Sequence, residues 1–137
     1  YCGVGTFTFR LAEIAPVHAA DFAAPAVAAL GAALATAPGL KGVTPEARDL
    51  VRRPVLSQEL KSTDVAVFDP PRAGALEQSR ELAASAVSRV IAVSCNPATF
   101  VRDARVLLDA GFRLDHVTPV DQFLWSPHVE LVGVFSR

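Results

Sequence analysis

The strongest constraint on how this chain folds comes from two short apolar runs, each stopped by a proline-bearing turn. Val65-Ala66-Val67-Phe68 ends at Asp69-Pro70-Pro71, and Val90-Ile91-Ala92-Val93 ends just before Cys95-Asn96-Pro97. Proline cannot donate to a strand ladder and holds its predecessor out of the helical region, so each run is a short strand rather than a helical turn. Asn96 then supplies an N-cap and Pro97 a first helical residue, opening a helix that ends at Gly111. Buried strands alternating with helices in this way predict an α/β fold: a parallel-rich sheet with helices on both faces.

The rest of the chain fits the same alternation. Tyr1-Cys2-Gly3-Val4-Gly5-Thr6 reads as a glycine turn that follows a strand and opens a helix, on which Phe7, Leu11 and Ile14 recur at helical spacing until Pro16. Strands are expected at Val17 to Ala20, ending at Asp21, and weakly at Gly42 to Ala47, with an Ala/Leu-rich helix from Ala24 to Ala37 between them. Arg48 to Thr63 is a polar connection in which no element is expected, and Arg48, Arg52 and Arg53 read as either an RNA-facing patch or a solvated loop, with the loop favoured. A further helix covers Leu76 to Ala86, and Leu114 to Val120 and Val129 to Phe135 are closing strands. The strand that should precede the glycine turn is not in the sequence, so the chain is expected to begin inside a larger protein and its sheet to lack a first strand.

Composition bounds the function. With 137 residues, 51% of them hydrophobic, the chain is expected to form one domain. No run approaches the ~20 apolar residues of a membrane span, and no signal peptide is recognised. Two cysteines without a secretory segment read as reduced thiols, which points to the cytoplasm. A net charge of -1 and a pI near 6.3 exclude a surface that holds nucleic acid by charge alone.

In open α/β sheets ligands bind at the carboxyl ends of the strands, and here those ends are chemically loaded. Gly3 and Gly5 would let a ligand approach the backbone, and Asp21 and Asp49 follow the next two strands. Asp21 lies near the offset at which an acidic residue takes ribose hydroxyls in nucleotide-binding sheets, although an aspartate there also serves as a helix cap. Asp69 and Arg72 present a carboxylate and a guanidinium at the same edge. Cys95 stands just before a helix N-terminus, a setting that favours an anion and suits a nucleophilic thiolate; a buried inert thiol is the competing reading. Cys2 fits the inert reading better. Glu130, beside His128, could accept a proton if it faces the site. His18 and His116 carry no ligand spacing, and no metal site is expected.

Taken in order, Tyr1-Cys2-Gly3-Val4-Gly5-Thr6-Phe7, Asp69-Pro70-Pro71-Arg72-Ala73-Gly74, Ser94-Cys95-Asn96-Pro97-Ala98-Thr99 and Pro127-His128-Val129-Glu130 resemble the successive motifs of the S-adenosylmethionine-dependent RNA uracil-C5 methyltransferases. The resemblance spans the whole chain, and its Cys-Asn-Pro and Asp-Pro-Pro-Arg segments are the specific ones. Ala98-Thr99, Arg102-Asp103 and Val134-Phe135-Ser136-Arg137 look more like the branch acting on 23S ribosomal RNA than the branch acting on transfer RNA. The resemblance implies a Rossmann-like class I methyltransferase sheet and methyl transfer from S-adenosylmethionine to C5 of a uridine. Cys95 would be the nucleophile that adds to C6, and Glu130 the general base. It further implies that Tyr1, Thr6, Asp21 and Asp49 line the cofactor site, with Asp69 between cofactor and uracil and Arg72 on the substrate. Asp21 and Asp49 stand where the family more usually has glutamate and asparagine. Family members carry upstream an RNA-binding barrel, a central domain and sometimes an iron-sulfur cluster. Residues 1–137 are therefore expected to be the C-terminal catalytic domain of a longer protein, binding RNA poorly alone.

Three other readings stay open at this point. An exocyclic-amine methyltransferase would place an aromatic where Arg72 stands, and a cytosine-C5 enzyme would flank its nucleophile differently from Ser94-Cys95-Asn96. The third is a non-catalytic domain that keeps the fold and the cofactor.

Overall fold

The computed structural model describes residues 1–122 and 124–137. The chain folds as two compact units, Tyr1–Arg53 and Pro54–Arg137.

The first unit runs α1 (Thr6–Ala12), β1 (Val17–Asp21), α2 (Ala24–Leu34), β2 (Val43–Ala47). Strands β1 and β2 pair in parallel, Val17 against Val43 through Asp21 against Ala47. The α2 helix opens with Pro25 in its first turn and turns Val27 and Leu30 inward, while Ala19 and Ala20 of β1 are buried. The expected apolar face of α1 differs from the one found. Thr8 and Ala12 are its buried residues, whereas Phe7 is exposed and Ile14 lies past the helix end, 78% exposed. A seven-residue helix makes barely two turns, and here its inward face is set by the glycine turn that launches it rather than by its largest side chains.

The second unit runs β3 (Val65–Phe68), α3 (Leu76–Ala84), β4 (Arg89–Ser94), α4 (Pro97–Asp109), β5 (Arg113–Val120), β6 (Glu130–Ser136), in the sheet order β3-β4-β6-β5. β3 and β4 are parallel, as a strand-helix-strand connection requires. β6 lies antiparallel to both β4 and β5. The sheet is thus mixed: among the described residues no crossover helix joins β5 to β6, and the chain returns alongside itself. Among the described residues, β1 and β3 each have a strand partner on one side only.

The α4 helix packs on this sheet through Phe100, Asp103, Ala104 and Leu107, the i, i+3, i+4, i+7 stripe of an amphipathic helix. Phe100 meets Phe135 of β6 with ring centroids 6.3 Å apart. The sheet position beneath Phe100 is Gly133, where a Cβ would come within 2.6 Å of the ring. The connection ahead of β3 has no regular element, as expected. Its backbone is held at Val55, whose N–H donates to Gln78 Oε1 (2.8 Å) and whose carbonyl accepts from Gln78 Nε2 (3.0 Å).

Candidate active site

Within each unit, taken by itself, the candidate site residues follow the strands. In the first, the glycine turn and Asp21 are joined directly: Asp21 Oδ2 accepts the Gly3 N–H at 2.9 Å, and Oδ1 accepts the Ala23 N–H at 2.9 Å. Burial alone would push the Asp21 carboxyl up, but the N–H groups of Ala23 and Gly3 favour its charged form, and the carboxyl lies below its usual range. Gly5 has φ 101°, and a Cβ there would stand 2.6 Å from Leu30 Cδ1, so conformation and packing both require glycine. Tyr1 is half-buried, and Thr6 is exposed at the start of α1.

Asp49 follows β2 at the same carboxyl edge as Asp21, since Arg48 N–H donates to the Asp21 carbonyl at 2.8 Å. Asp49 Oδ1 accepts the N–H groups of Val51 (3.0 Å) and Arg52 (3.2 Å), so this carboxylate also shapes its own turn. Arg48 is drawn inward, donating to the Arg53 carbonyl at 2.7 Å with its side chain only 11% exposed, whereas Arg52 is solvated as expected. Burial raises the Cys2 thiol above its ordinary range.

In the second unit, Asp69 and Arg72 follow β3 and Cys95 follows β4. Asp69 reaches solvent, yet the protein packed around it pushes its carboxyl up. The Arg72 side chain is exposed and has no ion-pair partner among the described residues. Cys95 is a half-buried free thiol immediately ahead of the α4 cap, where the Asn96 side chain accepts the Ala98 N–H at 3.1 Å and Pro97 opens the helix. The last register pair between β4 and β6 is Ser94 with Leu131. Cys95 follows Ser94 and Glu130, the first residue of β6, precedes Leu131, so the two residues leave the last register pair at the same end of the ladder. His128 is exposed, and His18 pairs with Glu46 at 2.8 Å, away from these positions in sequence and strand. Among the described residues no group of three His, Cys, Asp or Glu could hold a metal ion, and no helix is long and apolar enough to cross a membrane.

One part of this edge escaped the sequence reading. The 72–75 loop is bound to α4 by four side chains, Asn96, Thr99, Arg102 and Asp103, and Asp103 is only 5% exposed. A signal was present: Asp103 is a charged residue at a core position of an otherwise apolar helix stripe.

The fold and the strand-end residues define a Rossmann-like methyltransferase architecture. The structure of a Pyrococcus abyssi tRNA (uracil-54, C5)-methyltransferase in complex with S-adenosyl-L-homocysteine superposes with a TM-score of 0.82 at 32% identity, over 98% of this chain and 32% of that one. The family model for tRNA (uracil-5-)-methyltransferases matches residues 46–137, and the chain belongs to that family. An uncharacterized RNA methyltransferase of Caulobacter vibrioides is 70% identical over all 137 residues, which are 33% of its length. A 23S rRNA (uracil(1939)-C(5))-methyltransferase of Hahella chejuensis is 32% identical, with the whole chain matching 32% of it. The chain therefore spans about a third of the length of the curated relatives it matches.

Proposed function

We propose that the protein carrying this chain transfers a methyl group from S-adenosylmethionine to C5 of a uridine in RNA, with 23S ribosomal RNA as substrate. The observation that carries this reading is the β4–β6 register, whose last pair, Ser94 with Leu131, leaves Cys95 and Glu130 at the same end of the ladder.

Uracil C5 is a weak carbon nucleophile. Addition of the Cys95 thiolate to C6 opens the C5=C6 double bond and leaves its electron pair on C5, delocalised into the C4 carbonyl. S-adenosylmethionine, when bound, supplies a methyl on a sulfonium, which that electron-rich C5 can take. C5 then holds both a methyl and its original proton. Glu130 removes the proton, the released electron pair restores the double bond, and the thiolate departs. Asp69 and Arg72 hold the base and its phosphate.

On the first unit the donor and acceptor set suits the cofactor. Each Asp21 oxygen accepts one N–H and keeps acceptor capacity for ribose hydroxyls. Asp49 Oδ2, which lies 3.6 Å from Arg52 Nε, has further acceptor capacity, and the glycine turn with Tyr1 and Thr6 completes the set. The ribosomal assignment rests on Ala98-Thr99, Arg102-Asp103 and the closing Val134-Phe135-Ser136-Arg137. The likeness to the Pyrococcus abyssi enzyme favours transfer RNA as the second reading.

Adduct trapping tests the chemistry. The full-length protein and its Cys95→Ala variant are incubated with S-adenosylmethionine and RNA containing 5-fluorouridine, whose fluorine cannot leave as a proton does. A shifted band on a denaturing gel that needs both Cys95 and cofactor is expected; a band that survives the alanine change removes Cys95 from the mechanism. Running 23S ribosomal and transfer RNA side by side decides between the substrates.

A further inference from the structure

We propose that Asp103, with Arg102, is a positioning residue that fixes the loop bearing Asp69 and Arg72 against the helix that follows Cys95; the catalytic side of this proposal rests on the function argued above. Asp103 Oδ2 accepts the Ala75 N–H at 2.6 Å. Its other oxygen is held by Arg102, at 2.8 Å from Nε and 2.7 Å from Nη2, and Arg102 Nη2 also donates to the Ala73 carbonyl at 2.9 Å. The pair thereby grips the backbone on both sides of Gly74.

Gly74 itself is shaped for that grip. Its φ is 78°, and a Cβ would lie 2.5 Å from Asp103 Oδ2 and 2.6 Å from Arg102 Nη2. One turn and two turns earlier on the same helix face, Thr99 Oγ1 and Asn96 Nδ2 both reach the Arg72 carbonyl, at 3.2 and 3.1 Å. The Thr99 hydroxyl has one proton and divides it between that carbonyl and the Asn96 carbonyl at 3.1 Å. Positions 96, 99 and 102–103 thus form a polar ridge that reads the loop backbone from Arg72 to Ala75. The other end of the loop is anchored by buried Phe68 and Pro70.

An ion pair between buried Asp103 and exposed Arg102 is a poor way to gain stability, since burying the carboxylate costs solvation and the exposed partner is screened. Its directional bonds specify geometry instead. Because Asn96 adjoins Cys95, the ridge makes the separation of Cys95 from Asp69 and Arg72 a property of α4 rather than of a free loop. A misplacement of about 1 Å at a reacting centre can cost on the order of 100-fold in rate.

The test uses the full-length protein with Asp103→Ala, Asp103→Asn and Thr99→Val. Hydrogen exchange of the peptide covering residues 69–76 reads the clamp without reference to catalysis, and kcat, KM for RNA and S-adenosylhomocysteine affinity read its consequence. For Asp103→Ala, faster exchange at 69–76 is expected, with kcat down about 10- to 100-fold and cofactor affinity within about twofold. Asp103→Asn, which keeps an acceptor for Ala75, should recover part of the rate. Should Asp103→Ala fail to fold, Thr99→Val keeps the Arg102–Asp103 pair and should still lower kcat severalfold. Unchanged exchange in folded Asp103→Ala overturns the clamp, and altered exchange with unchanged kcat overturns its positioning role. A wild-type protein that methylates no uridine refutes the proposed function instead, and the exchange result still decides the clamp.

Discussion

Cys95 and Glu130 flank the last paired position of β4 and β6, Ser94 with Leu131, at the same end of the ladder. On the proposed function, the chemistry would be divided between these two neighbouring strand ends. If Glu130 removes the C5 proton, Glu130→Gln stalls the reaction after methyl transfer, when the thiolate is still bonded to C6. In the full-length protein, Glu130→Gln should accumulate a covalent complex with ordinary uridine RNA and lose at least about 100-fold in turnover. Cys95→Ala should form no complex and give no product. Wild-type turnover by Glu130→Gln would assign the base elsewhere.

The strand ends were legible in the sequence because they are written in backbone chemistry. Asp69-Pro70-Pro71 and Asn96-Pro97 stop and start elements through fixed φ and a side-chain cap, and β3 and α4 begin or end within a residue of where those signals place them. The face of α1 was not legible, because periodicity over seven residues is too short to outweigh the geometry of the turn before it. The antiparallel insertion of β6 was hidden for a different reason. Strand composition does not report direction; the length and content of the connection do. Asp103 read only as a mark of one branch, since its partner Ala75 lies 28 residues away and no local pattern links them.

The glycine turn makes a prediction about stability. Gly5 needs a positive φ and leaves no room beside Leu30, so Gly5→Ala combines backbone strain with overpacking. A loss of about 2–4 kcal/mol is expected from the two together. Gly3→Ala has the same kind of backbone penalty but meets nothing within 4 Å, so it should cost less. Denaturant melts of the two variants in the full-length protein give the comparison, and equal losses would show that Leu30 yields to the added methyl.

Asp69 should act on stability with the opposite sign to a paired carboxylate. Burial raises its folded pKa, so the folded state binds a proton more readily than the unfolded state. Its contribution is therefore most favourable below the unfolded value near 3.9, and declines as pH rises through the folded value. Asp69→Asn removes that decline. The variant should melt at or above the parent temperature at pH 7 and lose this advantage towards pH 4, while its methylation rate falls. Thermal melts across that range check the sign; a variant less stable than the parent at pH 7 would mean that the carboxylate is held by a favourable partner.

Asp21 should behave in the reverse way, because its N–H donors favour the charged form in the folded state. With its pKa depressed on folding, it contributes stability above the unfolded value near 3.9, and that contribution is lost as pH falls through the folded value. Asn at this position can accept one N–H through its carbonyl oxygen, but its amide nitrogen then faces the other donor. Asp21→Asn should therefore cost about 1–2 kcal/mol at pH 7, and the deficit should shrink in acid. Because Gly3 is one of the two donors, the same change loosens the glycine turn, so S-adenosylhomocysteine affinity should fall along with stability. Calorimetric titration of the full-length variant with S-adenosylhomocysteine tests the link: a stability loss with unchanged affinity would make Asp21 a structural brace and remove it from the cofactor site.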